Sequence, residues 1–139
     1  MSDARVVRGS CLCGRVRYEI DAPLGTALHC HCSMCRKAQG SAFRTRAAVA
    51  RSSFRFRSGE ELLTRYESSP GTFRCFCSVC GSPVASFFAG DPGTIGLPLG
   101  ALDDDPGVRP ACHVHVASKA PWYEITDALP QFAALPDRS

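Results

Sequence analysis

Three thiols crowd into six residues, Cys30-His31-Cys32-Ser33-Met34-Cys35, with Arg36 and Lys37 directly after them. A hydrophobic core has no use for that pattern. A C-x-C pair and a C-x-x-C pair each let two thiolates converge on one point, and zinc takes thiolate sulfur at about 2.3 Å. Three such ligands are one short of a closed structural site. The fourth position falls to another cysteine, a water or a substrate, and that choice decides what the chain can do.

Nine cysteines among 139 residues is a high and odd count, and eight of them lie in C-x-C or C-x-x-C clusters. A secreted chain with so many would suggest disulfides. Here the start, Ser2-Asp3-Ala4-Arg5, is polar, and no stretch approaches the roughly 18 apolar residues of a membrane span. Reduced, metal-bound thiols in the cytoplasm are therefore expected, with no membrane partner. The formal charge of +3 is only weakly basic. Seven thiolates carry −7 and two zinc ions +4, so the loaded protein would be near neutral. Nucleic acid is not the expected partner.

Short runs with period-two alternation, separated by turn residues, point to a mainly β fold of twisted antiparallel sheets with short helical turns. Strands are expected in two pieces over 5–21, then at 27–31, 43–49, 53–56, 62–67, 72–76, 84–88, 94–99 and 112–116. Ser33 is placed to cap a short helix over about 34–39, closed by Gly40. Trp122, Leu129, Phe132 and Leu135 are spaced like an amphipathic segment over 121–136, packed on the body. No βαβ pattern and no linker divides the chain, so one domain over 5–136 is expected, small enough to need zinc as a staple.

The remaining thiols sort by distance. Cys11 and Cys13, between glycines 9 and 14, form one half of a four-thiolate tetrahedron; Cys77 and Cys80 form the other. Such a site is closed and structural, and its binding free energy is folding free energy. Cys30, Cys32 and Cys35 remain, and two arrangements compete for them. In one the fourth position is open, as in catalytic zinc sites. In the other Cys75 closes it. Cys75 lies two residues before Cys77 and would share its face on a strand, which favours the open arrangement. His29 and His31 are further ligand candidates, with His31 expected to point away from its cysteine neighbours. An open three-thiolate zinc is a weak Lewis acid suited to holding a substrate thiol as thiolate, the nucleophilic form.

In these motifs the chain resembles the glutathione-dependent formaldehyde-activating enzyme family, whose domain is shared with the centromere protein V group. The matching blocks are Gly9-Ser10-Cys11-Leu12-Cys13-Gly14, Cys30-His31-Cys32-Ser33-Met34-Cys35-Arg36 and Arg74-Cys75-Phe76-Cys77-Ser78-Val79-Cys80-Gly81-Ser82. They continue with Arg109-Pro110, His113 and Ser118-Lys119-Ala120-Pro121-Trp122, covering about Gly9 to Pro136. The resemblance implies a β-tent-like fold holding two zinc ions. One is a structural zinc at Cys11, Cys13, Cys77 and Cys80; the other is a catalytic-type zinc at Cys30, Cys32 and Cys35. It implies a carbon–sulfur lyase that joins formaldehyde to glutathione as S-(hydroxymethyl)glutathione. No catalytic residue is assigned beyond the zinc ligands.

Other residues are weighed against plainer roles. His113 and His115, two apart on an expected strand, face one side; one can serve the open zinc as an acid or base, but a core hydrogen bond by His113 is the simpler expectation. Lys119 and Trp122 can line a groove, although Trp122 is expected in the core. Arg36 and Lys37 can attract an anionic substrate. Asp103-Asp104-Asp105 reads as a solvated turn. The competing function is a non-catalytic zinc module binding protein or nucleic acid. It would need a basic patch, for which Arg44, Arg46, Arg51, Arg55 and Arg57 are the candidates.

Overall fold

The computed structural model describes residues 6–21 and 23–135. The polar start at 2–5, the turn residue Ala22 and the two ends of the expected 5–136 domain lie outside them. Ten strands and one α-helix follow the turn chemistry closely. They are β1 (Val7–Ser10), β2 (Arg17–Ile20), β3 (Ala27–Cys30), α1 (Ser33–Gln39), β4 (Arg44–Ala50) and β5 (Phe54–Ser58), then β6 (Leu63–Ser69), β7 (Thr72–Cys77), β8 (Pro83–Phe88), β9 (Thr94–Pro98) and β10 (Pro110–Val114). Short 3-10 turns occupy Arg51–Ser53, Glu60–Leu62, Leu99–Ala101 and Val116–Ser118.

The strands form two sheets. Three make the smaller, in the order β1-β2-β5, and seven make the larger, in the order β10-β3-β4-β9-β8-β7-β6. Every pairing is antiparallel except one: β10 lies parallel to β3 at the edge of the large sheet. The expected mainly β fold of antiparallel sheets is present, with this one parallel pair of strands at its edge. A long connection returns the chain to the start of β3, and the same-direction neighbour puts Val114 beside Cys30.

The main core lies where alternate side chains of the strands turn inward. Tyr18, Ile20, Ile95 and Leu97 are fully buried, and the Tyr18 ring stacks on Phe54 with centroids 4.9 Å apart. Cys11 and Cys77 belong to this core, whereas Cys30, Cys35 and Val114 form a separate small cluster. No helix among the described residues is long and apolar enough to cross a membrane.

Three local expectations change. The cap of α1 is Cys32, not Ser33: its extended backbone enters the helix, and its sulfur accepts the Cys35 N–H at 3.3 Å. The 121–136 stretch does not pack through its apolar side chains, since Phe132 and Leu135 are exposed; as far as Leu135 it runs alongside β10, with His113 N–H donating to Pro130 O and Phe132 N–H donating to His113 O. Trp122 is 70 % exposed, so it is not core. The chain here meets its neighbour through backbone pairing, which needs no helical apolar stripe.

Candidate metal centres

The turn after β1 and the turn between β7 and β8 bring four sulfurs together. The Sγ atoms of Cys11, Cys13, Cys77 and Cys80 all lie within 4.8 Å of one another. The Cys11–Cys13 pair is at 3.5 Å and the Cys13–Cys77 pair at 3.9 Å. A zinc tetrahedron with bonds of about 2.3 Å needs sulfurs about 3.8 Å apart, so the donor set fits. Each turn is closed the same way. Gly14 N–H returns to Cys11 O and Gly81 N–H to Cys77 O. Both glycines have φ near +80°, at 80° and 77°, where a side chain would be strained. Val16 N–H donates to Cys11 Sγ at 3.3 Å. The Ser82 hydroxyl accepts Leu12 N–H at 2.9 Å and lies 3.3 Å from Cys80 Sγ, linking the two turns. Hydrogen bonding from Ser82 pushes the Cys80 thiol down to about 5. The backbone N–H of Arg15 lowers Cys13. Donors aimed at sulfur favour thiolate, the form a metal requires.

The second group joins Cys30 at the end of β3, Cys32 at the cap of α1 and Cys35 in its first turn. Their sulfurs also lie within 4.8 Å of one another. Cys30 and Cys35 are buried and Cys32 is half-buried. Cys30 and Cys35 share a hydrogen bond that raises Cys30 and lowers Cys35, and Arg74 lowers Cys35 further. Arg74 Nη2 stands 3.6 Å from Cys35 Sγ, while its Nε donates to Ser68 Oγ at 3.1 Å. Among the described residues no fourth ligating side chain joins this trio. Cys75 belongs to neither group. It is buried opposite Arg65 across the β6–β7 ladder, and burial raises its thiol. A cleft of about 520 Å³ opens beside the trio between α1 and the β6–β7 ladder, lined by Met34, Lys37, Tyr66, Arg74, Cys75 and Phe76 among others.

The histidines turn away from both groups. His31 is fully buried, and its Nε2 lies 2.8 Å from His113 Nδ1. His113 Nε2 reaches the Asp127 carboxylate at 3.0 Å. With both rings neutral, this chain closes in one way: His113 Nε2–H donates to Asp127, and His31 Nε2–H donates to His113 Nδ1. His31 Nδ1 is left buried without a partner. Burial holds His31 down at about 4, so it is neutral at physiological pH. His29 Nδ1 instead meets Thr45 Oγ1 at 2.7 Å. The expected shared face of His113 and His115 fails because β10 ends at Val114 and His115 adopts a left-handed φ of 56°.

Other candidates find partners of their own. Arg36 Nε donates to Ser118 O, and the Lys119 ammonium to the carbonyls of Ala120 and Tyr123. Lys37 is exposed and lines the cleft. Three of the five arginines of the run are engaged: Arg55 pairs with Glu19 and Asp21, Arg57 with Glu19, and Arg44 is buried, while Arg46 is half-buried and Arg51 exposed. The aspartates form an exposed turn, as expected, and each has a partner there: Asp104 with Arg8, Asp103 with Ser10 and Asp105 with Arg109. Sequence reasoning missed Arg44, Arg74 and Ser82 as neighbours of the thiols, and Asp127 as the partner of His113. Arg74 and Ser82 flank the second cysteine block and carried a signal by position; Arg44 and Asp127 carried none.

Residues 6–118 match the sequence profile described as glutathione-dependent formaldehyde-activating enzyme. A Halomonas elongata protein, provisionally named a glutathione-dependent formaldehyde-activating enzyme, is 30 % identical over 144 residues, covering 96 % of this chain and 91 % of its own. A crystal structure of a Rhodobacter sphaeroides protein superposes with a TM-score of 0.59 at 30 % identity, covering 74 % of this chain and 91 % of its own. The two sulfur groups, the mainly β fold and these matches agree: the chain belongs to the glutathione-dependent formaldehyde-activating enzyme family.

Proposed function

We propose that this protein is a zinc-dependent carbon–sulfur lyase acting on a thiol adduct of a small aldehyde, with glutathione and formaldehyde as the pair the family name suggests. The observation that carries this reading is the trio Cys30, Cys32 and Cys35, brought together by β3 and α1 with no fourth protein ligand among the described residues. Cys11, Cys13, Cys77 and Cys80 would hold a structural zinc, and the trio a second, catalytic-type zinc. Zinc at the trio would supply one soft coordination position, in which a substrate sulfur is kept as thiolate.

The chain's own residues do the rest. Arg74 touches Cys35 and also lines the cleft, so it connects the thiol centre to the place where a substrate can lie. Arg74 and Lys37 present two cations to that cleft, suited to the carboxylates of a glutathione-like peptide. Met34, Tyr66 and Phe76 give its other walls apolar surface for the aldehyde-bearing end. Residues 5–136 are read as one domain. All nine cysteines are free, which fits a reducing cytoplasm. The alternative of a nucleic-acid module is weakened by the arginine run, in which Arg55 and Arg57 pair with acids and Arg44 is buried.

Metal stoichiometry of wild type and Cys75→Ser tests the site: two zinc ions in each are expected, and loss of one in the variant would end the open-centre reading. Because formaldehyde and glutathione also combine unaided, activity is best read as exchange. Magnetization-transfer NMR on the equilibrium mixture should show faster exchange with wild type and not with Cys35→Ser; equal rates would rule out the lyase.

A further inference from the structure

Arg44 is an unusual neighbour for three thiols. It sits on β4 directly across from Cys30, and it is only 6 % exposed. Its Nη2 donates to Ser86 Oγ at 3.2 Å, but its Nε is buried with no partner. No carboxylate among the described residues forms an ion pair with it. Burial pulls its guanidinium down to about 10, which leaves it charged at neutral pH. A buried cation without a counter-charge is strongly unfavourable. The charges that act on Arg44 are those of Cys35 and Cys30, which favour it, and of Arg74 and Arg46, which oppose it.

Arg74 completes the arrangement. It is the register partner of Ser86 across the β7–β8 ladder, and the Ser86 hydroxyl accepts from Arg44. One guanidinium contacts Cys35 and the other lies behind Cys30. Neutral thiols would leave both cations uncompensated; thiolates would not.

Resting on the reading that the trio holds zinc, we propose that Arg44 and Arg74 form a fixed dication that makes this centre selective for an anionic sulfur donor as its fourth ligand, over water or a neutral nitrogen donor. The charge count supports it. Three thiolates and one zinc ion carry one negative charge, and a fourth thiolate makes two. Two guanidiniums balance that state and over-balance any neutral alternative. Arg74 is within reach of the cleft, whereas Arg44 acts from behind, as a positioning residue.

The test uses the full chain loaded with cobalt(II), whose absorption reports a fourth ligand directly. Wild type and Arg44→Met are titrated with 2-mercaptoethanol, which binds as thiolate, and with imidazole, which binds neutral. Arg44→Met is expected to weaken thiol binding by at least about tenfold while leaving imidazole binding within about threefold, the usual scale for residues behind metal ligands. Arg44→Lys should recover most of the loss. Unchanged thiol affinity in Arg44→Met, or equal weakening for both probes, overturns the inference. Should Arg44→Met not fold, Arg74→Met, at a half-buried position, must show the same selective loss or the inference fails. A wild-type chain that takes up one metal instead of two refutes the site reading, and this inference with it.

Discussion

Asp127 works at the end of a chain that runs through two buried rings, His113 and His31. The hydrogen bond from His113 holds its carboxyl below the ordinary carboxylate value of 3.8. An acid depressed in the folded state contributes stability above its unfolded value and loses it as the pH falls through the folded one. Asp127→Asn is therefore expected to melt lower than wild type at pH 7, with the two curves converging as the pH falls below about 3.8. A difference that grows with acid would contradict the assignment. Of this chain, His113 and His31 were visible as candidates in the sequence, and Asp127 was not. The simpler role of His113, a core hydrogen bond, is the one observed. Its partners were hidden because Asp127 lies 14 residues away and His31 82 away, distances that no local period encodes.

At the scale of elements, α1 has seven residues, too few to be stable alone. Three ties hold it: the Cys32 sulfur at its first turn, the buried Cys35, and Arg36 bound to Ser118 O. Two of the three are the proposed ligands. The Cys32→Ala variant should thus exchange amides of 33–39 about tenfold faster by hydrogen–deuterium exchange, the scale of a lost helix cap. The amides of β8 and β9 should be unaffected. Equal protection of α1 in the variant would mean that the helix is held by packing instead. Strand positions were largely legible because alternation and turn residues are local signals. The cap was misplaced by one residue because serine is the commoner cap, and only the folded backbone reveals a sulfur in that role.

The whole molecule is stapled unevenly. Cys11 and Cys77 lie in the main core and join the β1–β2 turn to the β7–β8 turn, across both sheets. Cys30 and Cys35 occupy a small separate cluster. Metal bound at the first centre is linked to the global folding equilibrium, and metal at the second mainly to its own corner. Cys77→Ser is expected to lower the melting temperature by at least about 10 °C or to prevent folding, whereas Cys32→Ala stays within a few degrees of wild type. Thermal melts by circular dichroism, with zinc content measured alongside, distinguish the two. Similar losses in both variants would refute the division of labour.

The amino-acid sequence by itself determined the mainly β architecture, the two cysteine sets and their likeness to one family, because spacing within a turn and alternation along a strand are written in consecutive residues. The tertiary structure alone decided the surroundings of the three thiols at 30–35. It placed Cys75 opposite Arg65 and apart from them, and it bound His31 to His113. It also set two arginines, from β4 and β7, beside sulfurs on β3 and α1. Charges act through space, and which strands become neighbours is settled only when the sheet closes its order.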